Sequence, residues 1–294
     1  MAESTATTTV LRWSIEQRLA FIDRRLYWDG QINRSDLVDR FGVSVPQASA
    51  DLSRYEKASK GNMAYDLHAK SYLVTDEFTP RVDPNAREYL AQLHLIADDV
   101  LKPEESWIGK LPEFATVPRV RRRLGAEVLR RLVQAMRANL GVEISYQSLQ
   151  ASKPTKRWIT PHAMSFDGQR WHARSWCHQR GRFLDFVLAR IFEVHQEVRS
   201  SIDASKDLAW HTQATVRLGP NPALPPSQRH AVALDYGMRD NVVEIPVRLC
   251  LVYYLNRQLL LDVADRLNPE RVPLVVLNAD ELNRELERVG EALI

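Results

Sequence analysis

The sequence predicts a multidomain α+β chain, on three observations. The first 80 residues carry apolar positions at helical spacing and then a hairpin pattern. Residues 141–200 switch to a period of two, and residues 201–294 alternate strand-like and helix-like stretches. At 294 residues the chain is long for one domain and comfortable for two or three. Apolar residues make up 45% and charged residues 26%, the balance of a globular chain rather than a disordered one. No stretch approaches the ~20 apolar residues that span a bilayer. The Thr/Ser/Ala-rich start, Met1 to Val10, lacks the layout of a secretory leader. The two cysteines, Cys177 and Cys250, cannot build a disulfide framework and lack metal-ligand spacing. The expectation is a reduced, cytoplasmic protein with no cofactor, no bound metal and no membrane partner.

Ser14-x-x-Gln17 reads as a capping box opening a first helix, whose inward stripe is Ile15, Leu19, Ile22 and Leu26. Asp29-Gly30 stops it. A short second helix follows Asn33, turns Leu37 and Phe41 inward and ends at Gly42. Ser44-x-x-Gln47 is a second capping-box pattern, with Pro46 tolerated in the first turn. Val45, Ala48, Leu52 and Tyr55 form the inner stripe of this third helix. Met63, Tyr65 and Leu67 then alternate with polar residues, and the tip His68-Ala69-Lys70-Ser71 leads into Tyr72-Leu73-Val74, a β-hairpin. Three helices with a glycine turn between the second and third, closed by a hairpin, make a winged helix-turn-helix domain over residues 1–80. Residues Leu37 to Leu52 resemble the helix-turn-helix of bacterial repressors.

Residues 81–140 read as a helical linker. One helix lies within 83–101, a Pro/Gly-rich stretch packs through Trp107 and Phe114, and a further helix runs from Arg119 to about Asn139. Residues 141–200 read as five short strands: Val142–Leu149, Trp158–Ser165, Arg170–Cys177, Arg182–Val187 and Ile191–Val198. Regularly spaced short strands suggest a small bent sheet or barrel. In residues 201–294, strands at Thr215–Leu218, Val242–Leu251 and Val272–Val276 alternate with helices at Pro226–Leu234, Tyr253–Leu267 and Glu281–Val289, a small α/β module.

The third helix offers Ser44, Pro46, Gln47, Ser49, Ser53 and Arg54 away from its stripe. Short polar residues and amides there can reach base edges in a major groove, Gln pairing with adenine and Arg with guanine or phosphate. Lys57 suits a phosphate at the far end, and His68 and Lys70 sit on the wing. The bland alternatives stand beside these: Gln47 capping its own helix, and Arg54 pairing with Asp51 or Glu56.

Formal charge is +3 overall, but residues 110–200 alone hold 17 Lys/Arg against 7 Asp/Glu. That block calls for an anionic partner, or else for arginine-rich solvated faces. Residues 1–80 hold 10 basic and 11 acidic residues. Because phosphate neutralisation supplies most DNA affinity, so neutral a reading head requires two copies. A homodimer on a double-stranded, pseudo-palindromic operator, with half-sites about 34 Å apart or a multiple, meets that requirement.

In the basic block, Ile144-Ser145-Tyr146, Pro161-His162, Trp171-His172-Ala173 and Arg190-Ile191 fall in order. This resembles the WYL domain, with His172-Ala173 where the family's name has Tyr-Leu. The resemblance implies an Sm-like, SH3-like β-barrel that binds nucleotides or nucleic-acid fragments. The departure bears on the ligand more than on the fold. Alternation places His172 and Arg174 on one face, where they could share a surface with Tyr146, His162, Arg182 and Arg190. Arg and His donors beside aromatic rings suit phosphates and stacked bases. Trp171 is a candidate for the same site, with barrel core the favoured place for it, and Arg190 could instead pair with Asp185 or Glu193.

The domain order is similar to the winged-helix WYL transcriptional regulators of phage-defence islands, the BrxR/CapW type associated with BREX and CBASS systems. That resemblance implies a repressor of a phage-defence operon, responsive to a nucleotide or oligonucleotide effector; the acidic C-terminal module, residues 201–294, and the long helices around the linker are the places expected to dimerise. The other reading is an RNA or single-stranded-DNA binding module that uses the basic barrel, with the winged helix serving protein contacts. Catalysis is not expected: no nucleophile elbow, P-loop or zinc-deaminase signature is present, and adjacent Cys177 and His178 point to opposite faces of a strand.

Overall fold

In the computed structural model, residues 2–118, 120 and 122–291 are described, and the chain forms two compact units, residues 1–120 and 121–294. In the first unit a long helix, α1 (Ala2–Asp29), is followed by a short strand, β1 (Gln31–Ile32). Helices α2 (Arg34–Phe41) and α3 (Val45–Ala58) come next, then the hairpin β2 (Met63–Asp66) and β3 (Ser71–Val74). Because α1 begins at Ala2, Ser14, expected to open the helix, lies inside it, and its side chain is outside the described residues. A Ser-x-x-Gln pattern caps only where the chain enters from extended backbone. Asn33 does enter so. Its side chain accepts from the Asp36 N–H while Asp36 accepts from the Asn33 N–H, closing a full box on α2. Gly42 follows α2 in the left-handed region, φ +63°, and donates to the Val38 carbonyl; this lets α3 turn back at once.

The core of this unit joins Leu19, Ile22 and Leu26 of α1 to Leu37, Ala48, Leu52, Tyr55 and Met63. Val45, expected on the inner stripe, is 55% exposed, because the first turn of α3 projects beyond α2. Leu67 also misses its expected place. It lies past the end of β2, in the turn, and is 80% exposed. The two-residue β1 escaped the periodicity argument; it pairs with β3 to give the sheet order β1-β3-β2.

Two buried carboxylates tie the helices together. Asp51 of α3, fully buried, accepts from Arg18 Nε of α1 at 2.6 Å. Asp23 of α1 accepts the Tyr55 hydroxyl and the backbone N–H groups of Arg81 and Val82, both at 2.9 Å. Beyond the wing, α4 (Ala86–Ala97) starts at Asn85, which caps Arg87 and Glu88. Its Tyr89 ring packs 4.6 Å from Trp28 and 5.7 Å from Trp107, so the Trp107 stretch does pack. Leu93 is buried, whereas Leu90 and Val100 are exposed.

In the second unit, α5 (Ala126–Ala138) starts later than the expected Arg119. Arg119 and Arg121 lie outside the described residues, and residues 122–125 are not helical. Gly125 at its N-cap marks the break. A five-stranded antiparallel sheet follows: β4 (Leu140–Tyr146), β5 (Thr155–Phe166), β6 (Trp171–Cys177), β7 (Arg182–Val187) and β8 (Ile191–Arg199), in the order β7-β6-β5-β4-β8. Register shifts between Val142 and Ile144 and between Pro161 and Ala163 bend it. α5 packs Val128, Leu132 and Ala135 against Val142, Ile144, Ile159 and Val194.

The remaining chain forms α6 (Leu208–His211), β9 (Gln213–Pro220), α7 (Pro226–Asp235), β10 (Val243–Arg248), α8 (Leu249–Gln258), β11 (Leu274–Val276) and α9 (Ala279–Val289). The sheet order is β10-β9-β11, antiparallel throughout. The strand expected over Val242–Leu251 ends at Arg248. Leu249, Cys250 and Val252 instead open α8, which buries all three in this core. The helix expected to reach Leu267 ends at Gln258 and is followed by a 3-10 stretch, Leu261–Arg266. Among the described residues no helix is long and apolar enough to cross a membrane.

The Arg18–Asp51 pair sets the position of α3, and breaking one side of a buried pair strands the other charge. Arg18→Ala should lower unfolding free energy by about 3–5 kcal/mol in urea titrations, and Arg18→Ala/Asp51→Ala by less than the sum of the two single losses. A loss under about 1 kcal/mol for Arg18→Ala would remove the pair from this role.

Candidate nucleic-acid interface and effector site

On α3 the Asp51 carboxylate governs what the helix can offer. It faces α1, so Pro46, Ala50, Ser53 and Lys57 on the other sides of the helix are exposed, as is Arg54, which flanks Asp51. Ser44 caps the helix through the Gln47 N–H at 3.4 Å, and Ser49 Oγ donates to the Val45 carbonyl. The Gln47 amide does not close a capping box. It donates to Asp51 Oδ1 at 3.0 Å and is half-buried. Arg54 Nη1 lies 3.7 Å from the same oxygen, so the Asp51 pairing anticipated as an alternative is present, with half of the Arg54 side chain still in solvent. On the wing, Asp66 accepts the N–H groups of His68 and Ala69, and His68 and Lys70 are exposed at the tip.

The second constellation lies in the second unit, between the β6–β7 side of the five-stranded sheet and the C-terminal elements. Arg174 of β6 is 2% exposed. Its Nε donates to Asp207 Oδ2 at 2.8 Å, and its Nη2 donates to Asp207 Oδ1 at 2.9 Å and to Glu291 Oε1 at 2.6 Å. Nη1 lies 3.5 Å from Asp185 Oδ2. His162 Nε2 is 2.9 Å from Asp207, and the Tyr254 hydroxyl donates to Asp185 at 3.1 Å. Burial alone would push the Asp207 carboxyl up, but the bonds from Arg174 and His162 outweigh it and hold it well below the usual range. Burial wins at Asp185 and Glu291, which are both raised. One guanidinium thus faces three carboxylates, and burial raises two of them.

Beside this cluster opens a cavity of about 540 Å³. Arg174 and Glu291 form part of its wall, Trp176 and Phe183 supply aromatic lining at 5.1 Å from each other, and Arg182, Lys206 and Arg288 are exposed around it. Among the described residues the side chains of these three cations make no hydrogen bond and no close ion pair, although the Lys206 charge helps lower the Asp203 carboxyl. The volume is that of a pocket for a small organic ligand, commonly about 300–1,000 Å³.

The structure therefore brings His162, Arg174 and Arg182 together, but not on the open strand face that alternation implied. C-terminal elements cover that side of β6, so both Arg174 and His172 are buried. His172 bonds Asp167 at 3.0 Å and packs on Tyr254. Tyr146 belongs to the sheet's own core, edge-on to Phe186 with Arg157 over its ring. Trp171, weighed as core, is 50% exposed and lies on Phe166. Arg190 is half-buried on a 3-10 turn and pairs with neither Asp185 nor Glu193 among the described residues. Asp207, Glu291, Lys206 and Arg288 escaped the sequence argument. Asp207 is 33 residues from Arg174 and Glu291 is 117, and no local spacing encodes such pairs. The histidines that crowd the sequence are likewise dispersed, His178 onto Thr160 and His195 onto Ser145.

Family models match the chain in three places: the BrxR transcriptional regulator winged helix-turn-helix domain over residues 14–95, the WYL domain over residues 127–196, and the BrxR transcriptional regulator C-terminal dimerization domain over residues 213–282. The chain is 40% identical over 295 residues to a DNA-binding transcriptional repressor CapW of Stenotrophomonas maltophilia, covering 99% of this chain and 98% of that protein. It is 41% identical over 276 residues to the CapW repressor of Escherichia coli strain KTE188, and 40% identical over 274 residues to that of Pseudomonas aeruginosa, each covering 92% of this chain and 91% of the relative.

The Asp167 turn gives this region a pH signature. Burial raises the Asp167 carboxyl, but bonds from His172, Arg170 and the Gln169 N–H prevail and lower it from 3.8 to about 2. A depressed carboxylate stabilises the fold above its unfolded pKa, and that contribution is lost as pH falls through the folded value. Stability should therefore drop between about pH 4 and about pH 2, with Asp167 accounting for about 2 kcal/mol of the change. Urea titrations across that range should show a drop smaller by this amount in Asp167→Asn, and an unchanged pH slope would contradict the assignment.

Proposed function

The chain belongs to the family of the CapW DNA-binding transcriptional repressors, and from that premise we propose that it represses a phage-defence operon by binding a palindromic operator as a homodimer. The observation that carries the reading is the exposed part of α3, Pro46, Ala50, Ser53, Arg54 and Lys57, held outward because Asp51 anchors the helix to Arg18. A helix with exposed Ser and Arg and a Pro in its first turn can enter a major groove. Ser44, Gln47 and Ser49 sit at its leading end, and Lys57, His68 and Lys70 are in reach of flanking phosphates. The near-neutral head makes two copies necessary, and the segment matched by the dimerization-domain model, residues 213–282, is where we place the contact between them. Repression of an operon places the protein in the cytoplasm.

We further propose that a nucleotide or oligonucleotide effector modulates operator binding through the central domain, at the cavity beside Arg174. The exposed cations Arg182, Lys206 and Arg288 and the Trp176–Phe183 wall support this. Effector control requires that the ligand bind the operator-competent and released forms with different affinity. Trp171 and Arg190, outside the cavity wall, and Tyr146, in the sheet's core, are not assigned to this ligand.

An anisotropy titration on duplex from the gene's own upstream region tests the first proposal. One inverted repeat should be strongly preferred, and Arg54→Ala should weaken it roughly 5- to 100-fold. Gln47→Ala should weaken it less, its amide being engaged with Asp51. Equal binding to random duplex, or tighter binding to RNA or single strands, would favour the basic central domain as the main nucleic-acid site and defeat this reading.

A further inference from the structure

Glu291 follows Gly290, which ends α9 in the left-handed region, and it reaches back across the cavity to Arg174. It is the least committed of the three carboxylates on that guanidinium. Asp207 grips Arg174 with both oxygens, meets His162, caps α6 through the Trp210 N–H and has a side chain 2% exposed. Asp185 is fixed within β7, bonded to Tyr254, with its side chain 9% exposed. Among the described residues the Glu291 side chain makes one contact, at Nη2, and it is 25% exposed at the cavity wall. It also faces Asp185 and Asp207, which repel it, and burial adds to the cost of its charge.

A further anion could not join Arg174 while all three carboxylates remain, because the cluster already carries excess negative charge. Exchange removes that obstacle. A phosphate has more acceptor oxygens than a carboxylate and carries more charge. Here it would also meet Arg182, Lys206 and Arg288, which Glu291 does not use.

We infer that Glu291 is an internal stand-in for a phosphate: a nucleotide-sized phosphate ester enters the cavity, takes the Arg174 Nη2 position and releases the end of α9 from the sheet. The exchange rests on the effector reading given above and adds to it the group displaced and the element set free. The nucleobase stacks on the Trp176–Phe183 wall, which is why a bare anion is a poorer ligand. The released segment carries Leu282 and Leu286 in the core of the C-terminal module, so ligand occupancy is transmitted to that module.

Calorimetry on the full chain tests this with three probes: pyrophosphate, the deoxyadenosine dinucleotide carrying a 5′-phosphate, and the same dinucleotide without it. The phosphorylated dinucleotide should bind best, and Glu291→Gln should bind it about tenfold tighter than the unsubstituted protein. Lys206→Ala/Arg288→Ala, at exposed positions where folding is not at stake, should bind it about tenfold more weakly. Hydrogen exchange at the last turn of α9 should quicken on ligand addition and be already quick in Glu291→Gln without ligand. Equal dinucleotide affinity in Glu291→Gln and the unsubstituted protein would overturn the exchange while leaving an effector cavity in place. No binding of any probe at millimolar concentration would overturn the cavity as a phosphate site and the effector reading with it. Tighter binding of the unphosphorylated dinucleotide would also defeat the stand-in role.

Discussion

The second unit is organised by the need to neutralise one guanidinium. Arg174 sits on a central strand with 2% of its surface exposed, and an unpaired charge there would cost several kcal/mol. The partners come from elements far apart in the chain: Asp185 from β7, Asp207 from the turn into α6, and Glu291 from beyond α9. Each acid can reach the arginine only if its own element is correctly docked. The five-stranded sheet and the C-terminal module are therefore joined by a bond that tolerates little misplacement, because the apolar contacts between elements could slide where a two-oxygen grip on Nε and Nη2 cannot.

The first unit uses the same device at a smaller scale. Asp51 is buried on the face of α3 that meets α1, and its bond to Arg18 sets the rotation of the helix. An amphipathic stripe of Ala48, Leu52 and Tyr55 alone leaves some freedom to roll, whereas a carboxylate aimed at one guanidinium does not. Which residues α3 shows to solvent is thus decided by a residue that points the other way.

The legibility of the sequence follows from range. The start of the second helix after Asn33, its end at Gly42 and the strands at Arg182–Val187 and Ile191–Val198 were all readable, because each depends on neighbours within a few positions. Val45 and Leu67 were misplaced because periodicity assigns a face but cannot say where the neighbouring element ends. The boundary at Leu249 was missed because an apolar run fits strand and buried helix alike. At the cavity beside Arg174, strand alternation put His172 and Arg174 on one side of β6. It could not reveal that the C-terminal elements cover that side, since the pairs that seal it span 33 to 117 residues.

That longest separation also bears on how the molecule comes into being. During synthesis, β4 to β8 emerge and can pair well before the residues that compensate Arg174 are all available, and the last of them, Glu291, follows the whole C-terminal module. Contacts this distant in the chain are slow to form. The sheet must wait with a charged strand incompletely sealed, so folding of the central domain is completed only together with the module beside it. The two mature as one unit, and a nascent chain arrested between them would expose an arginine that the finished protein keeps from water.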